Sequence, residues 1–309
     1  MKLSIVATLY NSSRYIEEFC RRAADAARQL AGNEYEIILV NDGSPDDSLN
    51  VAIQLSEVDP HLVVVDLSRN FGHHKAMMAG LSYALGEKIF LIDVDLEESP
   101  EWLLNFSAQM EQEQSDVVYG VQKSRKGGWF EKLSGEIYYW LLNLMLSMDH
   151  PKNITTARLM TKRYVDALLL HKEREIVMSG LWLITGFDQR QQLVDKKSHS
   201  RTTYGFLRKL SHLVNIVTSF SNKPLVFIFF VGLSIFIGSL VYTLYLIVNQ
   251  VFFHITVDGW TSIMVSVWFL GGMTILFIGV IGIYLSKIFS ETKQRPLTIE
   301  KRIYRSSRK

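Results

Sequence analysis

Apolar and polar positions come in alternating blocks along the first hundred residues. "LSIVATLY" (3–10) is a nearly unbroken apolar run, the pattern of a strand buried on both faces. "SRYIEEFCRRAADAARQL" (13–30) then places Ile16, Phe19, Ala23, Ala27 and Leu30 at helical spacing. The alternation repeats: strand "YEIILVND" (35–42), helix "DSLNVAIQLSEVD" (47–59), strand "LVVVDLS" (62–68), helix "HKAMMAGLSYAL" (74–85), strand "KIFLIDVD" (88–95). Between the second strand and its helix, "GSPDDS" can cap the helix through Ser44 or Asp46. This order predicts an α/β domain around a parallel sheet, with ligands outside the carboxyl ends of the strands.

The pattern changes near Lys223. No charged residue occurs in 225–248 or in 261–286. Each run exceeds the roughly 20 residues that cross a bilayer as a helix. The connection "NQVFFHITVDGW" (249–260) has no Lys or Arg, whereas Lys287, Lys293, Arg295, Lys301, Arg302, Arg305, Arg308 and Lys309 follow. The positive-inside rule then puts both termini and the large N-terminal domain in the cytoplasm. The expected organisation is a catalytic domain over 1–202, an amphipathic juxtamembrane helix over 203–222, a two-helix transmembrane hairpin within 223–286, and a basic cytoplasmic tail over 287–309. Two stretches, "WFEKLSGEIYYWLLNLML" (129–146) and "YGFLRKLSHLVNIVTSF" (204–220), have an apolar face with aromatic and basic residues nearby, as interfacial helices do. Core packing is an equal reading of the first.

Composition narrows the class. A net charge of +2 over 309 residues argues against a nucleic-acid binder. The single cysteine, Cys20, permits no intrachain disulfide and suits a reducing compartment. "MKLSIVATLY" has too short an apolar run for a signal peptide and reads as a first strand.

Candidate chemistry collects at the strand ends. Thr8, Tyr10 and Asn11 follow the first strand; Asn41, Asp42, Gly43 and Ser44 the second; Arg69, Asn70, His73, His74 and Lys75 the third. After the fourth comes "FLIDVDLEESPEWL" (90–103), in which Asp93 and Asp95 are two apart and share one side of an extended strand. Carboxylates so close repel one another unless a hard divalent cation shares their charge. A solvated turn is the plainer alternative.

In order and spacing, "SIVATLYNSSRYI", "YEIILVNDGSPDDS", "LSRNFGHHKAMMAGL" and "LIDVDLEESPEWL" resemble family-2 glycosyltransferases with a GT-A fold. More narrowly, the chain is similar to polyprenyl-phosphate glycosyltransferases, relatives of dolichyl-phosphate mannose synthase and bactoprenol glucosyltransferases. The likeness continues through "DVVYGVQKSRKGG", "ARLMTKRYVDAL", "SFSNKPL" and "GVIGIYLSKIFSETKQRPL" and spans almost the whole chain. It implies a Rossmann-like, nucleotide-sugar-binding GT-A domain with Asp93 and Asp95 as the catalytic D-x-D pair. Asp95 would hold Mg²⁺ or Mn²⁺, and Asp93 the metal or the ribose. Glu97 stands where relatives have a Gln that can join the metal site; Glu98 and Glu101 are read as solvated or structural. Asp42 would recognise the nucleobase, or form a turn before Gly43. Thr8, Tyr10 and Asn11 would line the base and ribose pocket, Lys75 would meet the diphosphate or a site carboxylate, and Arg158 would face the diphosphate or sugar. Arg125, Lys132 and Ser134 would bind the acceptor phosphate. The implied reaction is inverting transfer of a sugar, glucose first, from a UDP-sugar to undecaprenyl phosphate at the inner membrane, by a homo-oligomer serving cell-envelope glycan modification. A phosphate acceptor is largely dianionic at neutral pH and needs no general base, so neither His73 nor His74 is expected to serve as one. A processive polysaccharide synthase and a non-catalytic membrane scaffold are the alternatives. Neither a Q-x-x-R-W motif nor a larger set of spans supports the first, and the retained Asp42, Asp93 and Asp95 argue against the second.

Overall fold

The computed structural model describes residues 1–122, 153–196, 214, 217–219, 221–253 and 259–306. Arg125, Lys132, Ser134, the stretch 129–146 and most of the juxtamembrane segment 203–222 lie outside the described residues. The chain divides into two units. The first comprises the described residues of Met1–Tyr139, Asp149–Tyr204 and Gln294–Lys309; the second contains Gly205–Lys293.

The first unit is built on an eight-stranded sheet. Its strands are β1 (Leu3–Leu9), β2 (Tyr35–Asn41), β3 (Leu62–Leu67), β4 (Lys88–Leu91), β5 (Val117–Gln122), β6 (Ile154–Thr161), β7 (Gln189–Val194) and β8 (Glu300–Arg305), in the order β7-β5-β6-β4-β1-β2-β3-β8. The helices are α1 (Ile16–Ala31), α2 (Ser48–Val58), α3 (His73–Tyr83), α4 (Trp102–Glu113), α5 (Lys162–Leu168) and α6 (Met178–Ile184). The centre, β4-β1-β2-β3, is parallel as expected. The flanks make the whole sheet mixed: β6 runs antiparallel to β4 and β5, and β8 antiparallel to β3.

Every residue of β1, β2 and β3 is buried, which is why these segments are apolar without alternation. Helix α1 buries Ile16, Phe19, Ala23 and Ala27 on the face that carries Ile5, Ala7, Ile37 and Leu39, together with Leu103, Phe106 and Met110 of α4. On the opposite face, Gly80 of α3 lies against Val6 and Val40. Helices thus cover both faces of the sheet.

Two expectations change. Strand β4 ends at Leu91, so Asp93 and Asp95 are presented by a turn and not by strand alternation. The segment read as a tail from Lys287 is not free: Lys287 belongs to a helix, and Glu300–Arg305 returns to the sheet as β8.

The second unit contains two long helices, α7 (Lys223–Phe253, 31 residues) and α8 (Trp260–Thr292, 33 residues). Large apolar side chains are exposed along both, among them Phe227, Phe229, Val241, Ile275 and Ile278. Among the described residues one segment, Phe269–Thr292, is long and apolar enough to cross a membrane by length and composition. Tyr284 Oη donates to the Ser221 carbonyl at 2.7 Å, and Lys287 Nζ to Ser219 Oγ at 2.8 Å.

Candidate active site

The chain runs from β1 outward to β2 and β3, then crosses back to place β4 on the other side of β1. At such a switch point the connections leaving the two neighbouring strands diverge, and a crevice opens at their carboxyl ends. Thr8, Asp42, His73 and Asp93 lie at these strand ends.

Thr8, near the end of β1, has its Oγ1 2.9 Å from His73 Nδ1 at the start of α3. His73 Nε2 lies 3.3 Å from Asp93 Oδ1. Three elements therefore meet through a Thr8–His73–Asp93 line. Burial works against the Asp93 carboxylate, but His73 and the Thr156 hydroxyl hold it below the usual range. Burial likewise opposes the His73 imidazolium, and Asp93 outweighs it, raising the imidazole. Asp93 Oδ1 is buried and accepts no well-aligned hydrogen bond.

Asp95 accepts the Glu97 N–H at 2.9 Å, an Asx-type turn in which Leu96 adopts φ 59°. Burial pushes the Asp95 carboxyl up, against the pull of that N–H, and the charge of Asp93 adds to the rise. Of the two readings of Glu98, solvated or structural, the second holds. The side chain is fully buried and accepts the backbone N–H groups of Thr156 (3.0 Å) and Ala157 (2.7 Å) in β6. Burial, with the charge of Asp93, pushes it up to about 7. Glu101 turns outward to Arg22, whose Nε donates at 2.7 Å. Lys196, just past β7, lies 3.4 Å from Glu97 and 3.3 Å from Glu98. Burial works against its ammonium, yet Glu98, Asp93, Asp95 and Glu97 hold it above its ordinary value.

These groups fit a divalent cation in part. Among the described residues no three His, Cys, Asp or Glu side chains form a complete metal cage. Asp93 Oδ1, which has the 3.3 Å His73 contact but no well-aligned hydrogen bond, and the Asp95 carboxyl are hard donors that a cation would draw on, leaving other positions to a ligand's oxygens.

The loops after β2 and β3 form the other wall. Asp42 is buried, and its two oxygens accept the N–H groups of Phe71 (2.7 Å) and Gly72 (3.0 Å). Asn41 donates to Asp66 at 2.7 Å. Asp46 gathers Ser44 Oγ (2.5 Å), Ser48 Oγ (2.6 Å), Ser48 N (3.1 Å) and Ser13 N (3.1 Å), while Ser44 Oγ accepts the Asn11 N–H at 2.8 Å. Asp46, not Asn11, is thus the hub that ties the β1 loop to the β2 loop. Partial burial opposes its ionisation, but these donors hold its carboxyl far below the usual range. Its stabilisation is complete above the unfolded-state pKa of about 4 and is lost as pH falls toward the lower folded value. Asp46→Ala is expected to cost about 1–3 kcal/mol at pH 7. In urea titrations the difference from wild type should shrink below about pH 4.

Tyr10 is half-exposed, and Asn11 adopts φ 52°. Lys75 sits in the first turn of α3, with no ion-pair partner among the described residues. Arg158 differs from expectation. It is fully buried, its Nε donates to the Thr156 carbonyl at 3.3 Å, and its guanidinium lies 2.9 Å from the Trp182 ring centroid. Burial pushes it down to about 9. It is enclosed against α6 and does not line the open rim. His73 as the partner of Asp93, and Lys196 as the cation beside Glu97 and Glu98, were not assigned from sequence. Their roles come from contacts between distant segments.

Residues 4–169 match the family model for glycosyl transferase family 2. The chain belongs to glycosyltransferase family 2. A Mycobacterium tuberculosis protein named as a glycosyltransferase is 50% identical over 99% of this chain and 89% of its own length. A prophage bactoprenol glucosyl transferase homolog of Escherichia coli K12 is 30% identical over 98% of this chain and 99% of its own. The likeness therefore runs well past the family domain into α7, α8 and β8. Among solved structures, the mannosyltransferase PcManGT of Pyrobaculum calidifontis, in complex with GDP-Man and Mn²⁺, is similar with a TM-score of 0.50. The match covers 70% of this chain and 62% of that one at 16% identity, a likeness of fold.

Proposed function

We propose that this family-2 glycosyltransferase moves a sugar, with inversion, from a nucleotide-sugar to a polyprenyl phosphate at the cytoplasmic face of a membrane. UDP-glucose and undecaprenyl phosphate are the first candidates. The observation that carries the reading is the Asp93/Asp95 turn at the switch point, where the buried Asp93 carboxylate meets His73 at 3.3 Å without a well-aligned hydrogen bond. The acceptor rests on end-to-end relatedness to a bactoprenol glucosyl transferase homolog.

A bound Mg²⁺ or Mn²⁺, held by Asp93 and Asp95, would neutralise charge on the departing diphosphate. The chain's own residues bind and orient. Asp42, fixed by two N–H groups, keeps lone pairs to accept an imide N–H of the base. Tyr10 offers an exposed ring, and Thr8 and Asn11 would line the base and ribose pocket with it. Lys75, from the first turn of α3, would meet the diphosphate. Arg125, Lys132 and Ser134 are proposed for the acceptor phosphate. The acceptor arrives ionised, so catalysis is positioning and charge neutralisation.

His73 then orients Asp93 and moves no essential proton. His73→Ala is expected to raise the metal concentration for half-maximal rate, with a fall in kcat of about tenfold or less and unchanged limbs of the pH–rate profile. Loss of the chemical step with donor and acceptor still bound would contradict this.

Sheet membership supports two spans. Strand β8 follows α8 yet pairs with β3. A chain that leaves this unit and returns to the same sheet crosses a membrane an even number of times. Cys20 is buried, with its thiol pushed up to about 12 by burial, so introduced cysteines can report topology. Thr256→Cys should react with an impermeant maleimide on intact cells, and Ile299→Cys only after permeabilisation. The reverse pattern would refute the orientation, and reaction of both on intact cells the even count.

A further inference from the structure

The turn after β4 carries four carboxylates within six residues: Asp93, Asp95, Glu97 and Glu98. A divalent cation held by Asp93 and Asp95 would leave Glu97 and the buried Glu98 as the remainder. Among the described residues, Lys196 reaches that remainder. Lys196 Nζ lies 3.3 Å from Glu98 Oε1 and 3.4 Å from Glu97 Oε2. The three side chains are largely shielded, with exposures of 21% for Lys196, 16% for Glu97 and 0% for Glu98. Glu98 is held in place by the β6 backbone through Thr156 and Ala157. Lys196 is therefore anchored on one side by a fixed carboxylate and grips Glu97 with the other.

We propose that Lys196 is a positioning residue that withholds Glu97 from the metal, so that Asp93 and Asp95 are the carboxylates left to bind it. The inference rests on the metal reading above and deepens it. A carboxylate at position 97 adds a charge to a turn already crowded with charge, and an ammonium within ion-pair distance of that residue balances it. Glu97 oriented toward Lys196 points its oxygens at a partner that a metal would have to displace.

The test is Mn²⁺ affinity in the presence of UDP, read by electron paramagnetic resonance on the full-length protein in detergent. The variants are Glu97→Gln, Lys196→Met, Lys196→Arg and the Glu97→Gln/Lys196→Met double, with thermal unfolding confirming that each is folded. Glu97→Gln alone should change affinity less than about threefold. A group supporting a metal site is otherwise worth about 10–100-fold. Lys196→Met should tighten Mn²⁺ about tenfold by releasing Glu97, and the double variant should return close to wild type. Lys196→Arg keeps the charge and should match wild type. Weakening beyond tenfold by Glu97→Gln alone would overturn the proposal and leave the metal reading intact. So would equal affinity of Lys196→Met and the double variant. No Mn²⁺ binding by wild type with UDP would overturn the metal reading and, with it, this inference. If Lys196→Met does not fold, Glu97→Gln alone decides.

Discussion

Asp95→Asn is expected to lower transfer by about 10³-fold while leaving the protein folded. On the mechanism proposed above, the loss follows from removing a charged metal ligand where the diphosphate would leave, an effect of roughly 4 kcal/mol. The fold should survive for a local reason. Asp95 accepts the Glu97 N–H through one oxygen, and an asparagine carbonyl can accept the same bond. Burial and the nearby Asp93 already disfavour the Asp95 charge, so its removal relieves strain in the metal-free state. Thermal unfolding without metal should therefore match or exceed wild type, while addition of Mn²⁺ with UDP should stabilise only wild type. A variant that unfolds several degrees earlier would show that Asp95 is structural. Retained activity would remove it from the site.

Gly43→Ala should give the largest loss of stability. Gly43 has φ +58°, where a side chain costs about 1–2 kcal/mol. A Cβ there would also overlap the backbone of Arg69 and Asn70, which cannot swing aside as a flexible side chain could. The combined cost is roughly 3–5 kcal/mol, a large part of an ordinary stability of about 5–15. Gly32 supplies the comparison: its φ is +59°, with nothing within 4 Å of a built Cβ. Gly32→Ala should therefore show the backbone strain alone, about 1–3 kcal/mol at φ 59°, ψ −122°. Gly43→Ala should also weaken nucleotide binding, because the residue next to it, Asp42, docks the β3–α3 loop through Phe71 and Gly72. Equal destabilisation by the two substitutions would mean that the loops do not pack as described.

The sequence disclosed those parts of the fold whose physics is local. Strands β1 to β3 and helix α1 were legible because complete burial and helical periodicity write themselves into residue choice. The D-x-D pair was visible because charge at the end of an apolar run is unusual. Strands β7 (QRQQLV) and β8 (EKRIYR) were not visible: they are the edges of the sheet, mostly exposed, and joined through backbone hydrogen bonds that leave no apolar pattern. A run of basic residues therefore read as a tail. The two-residue spacing of Asp93 and Asp95 suggested a strand, whereas the last ladder bond to β1 is that of Ile92 and the chain turns at Val94–Asp95. Arg158 looked like a rim cation by motif, but β6 places it opposite Leu91 and Tyr119 and encloses it against Trp182. Glu98 and Lys196 lie 98 positions apart, and no local pattern links them.

Transfer of label from nucleotide-sugars to undecaprenyl phosphate by the purified full-length protein tests the central claim most directly, with Mg²⁺ or Mn²⁺, with chelator, and with Asp95→Asn. The account predicts that one donor labels the lipid phase, only with metal and only with Asp95 intact. Transfer that persists in chelator or in Asp95→Asn would contradict the role given to the carboxylate turn, and no transfer from any donor by a protein that binds nucleotide would contradict the acceptor.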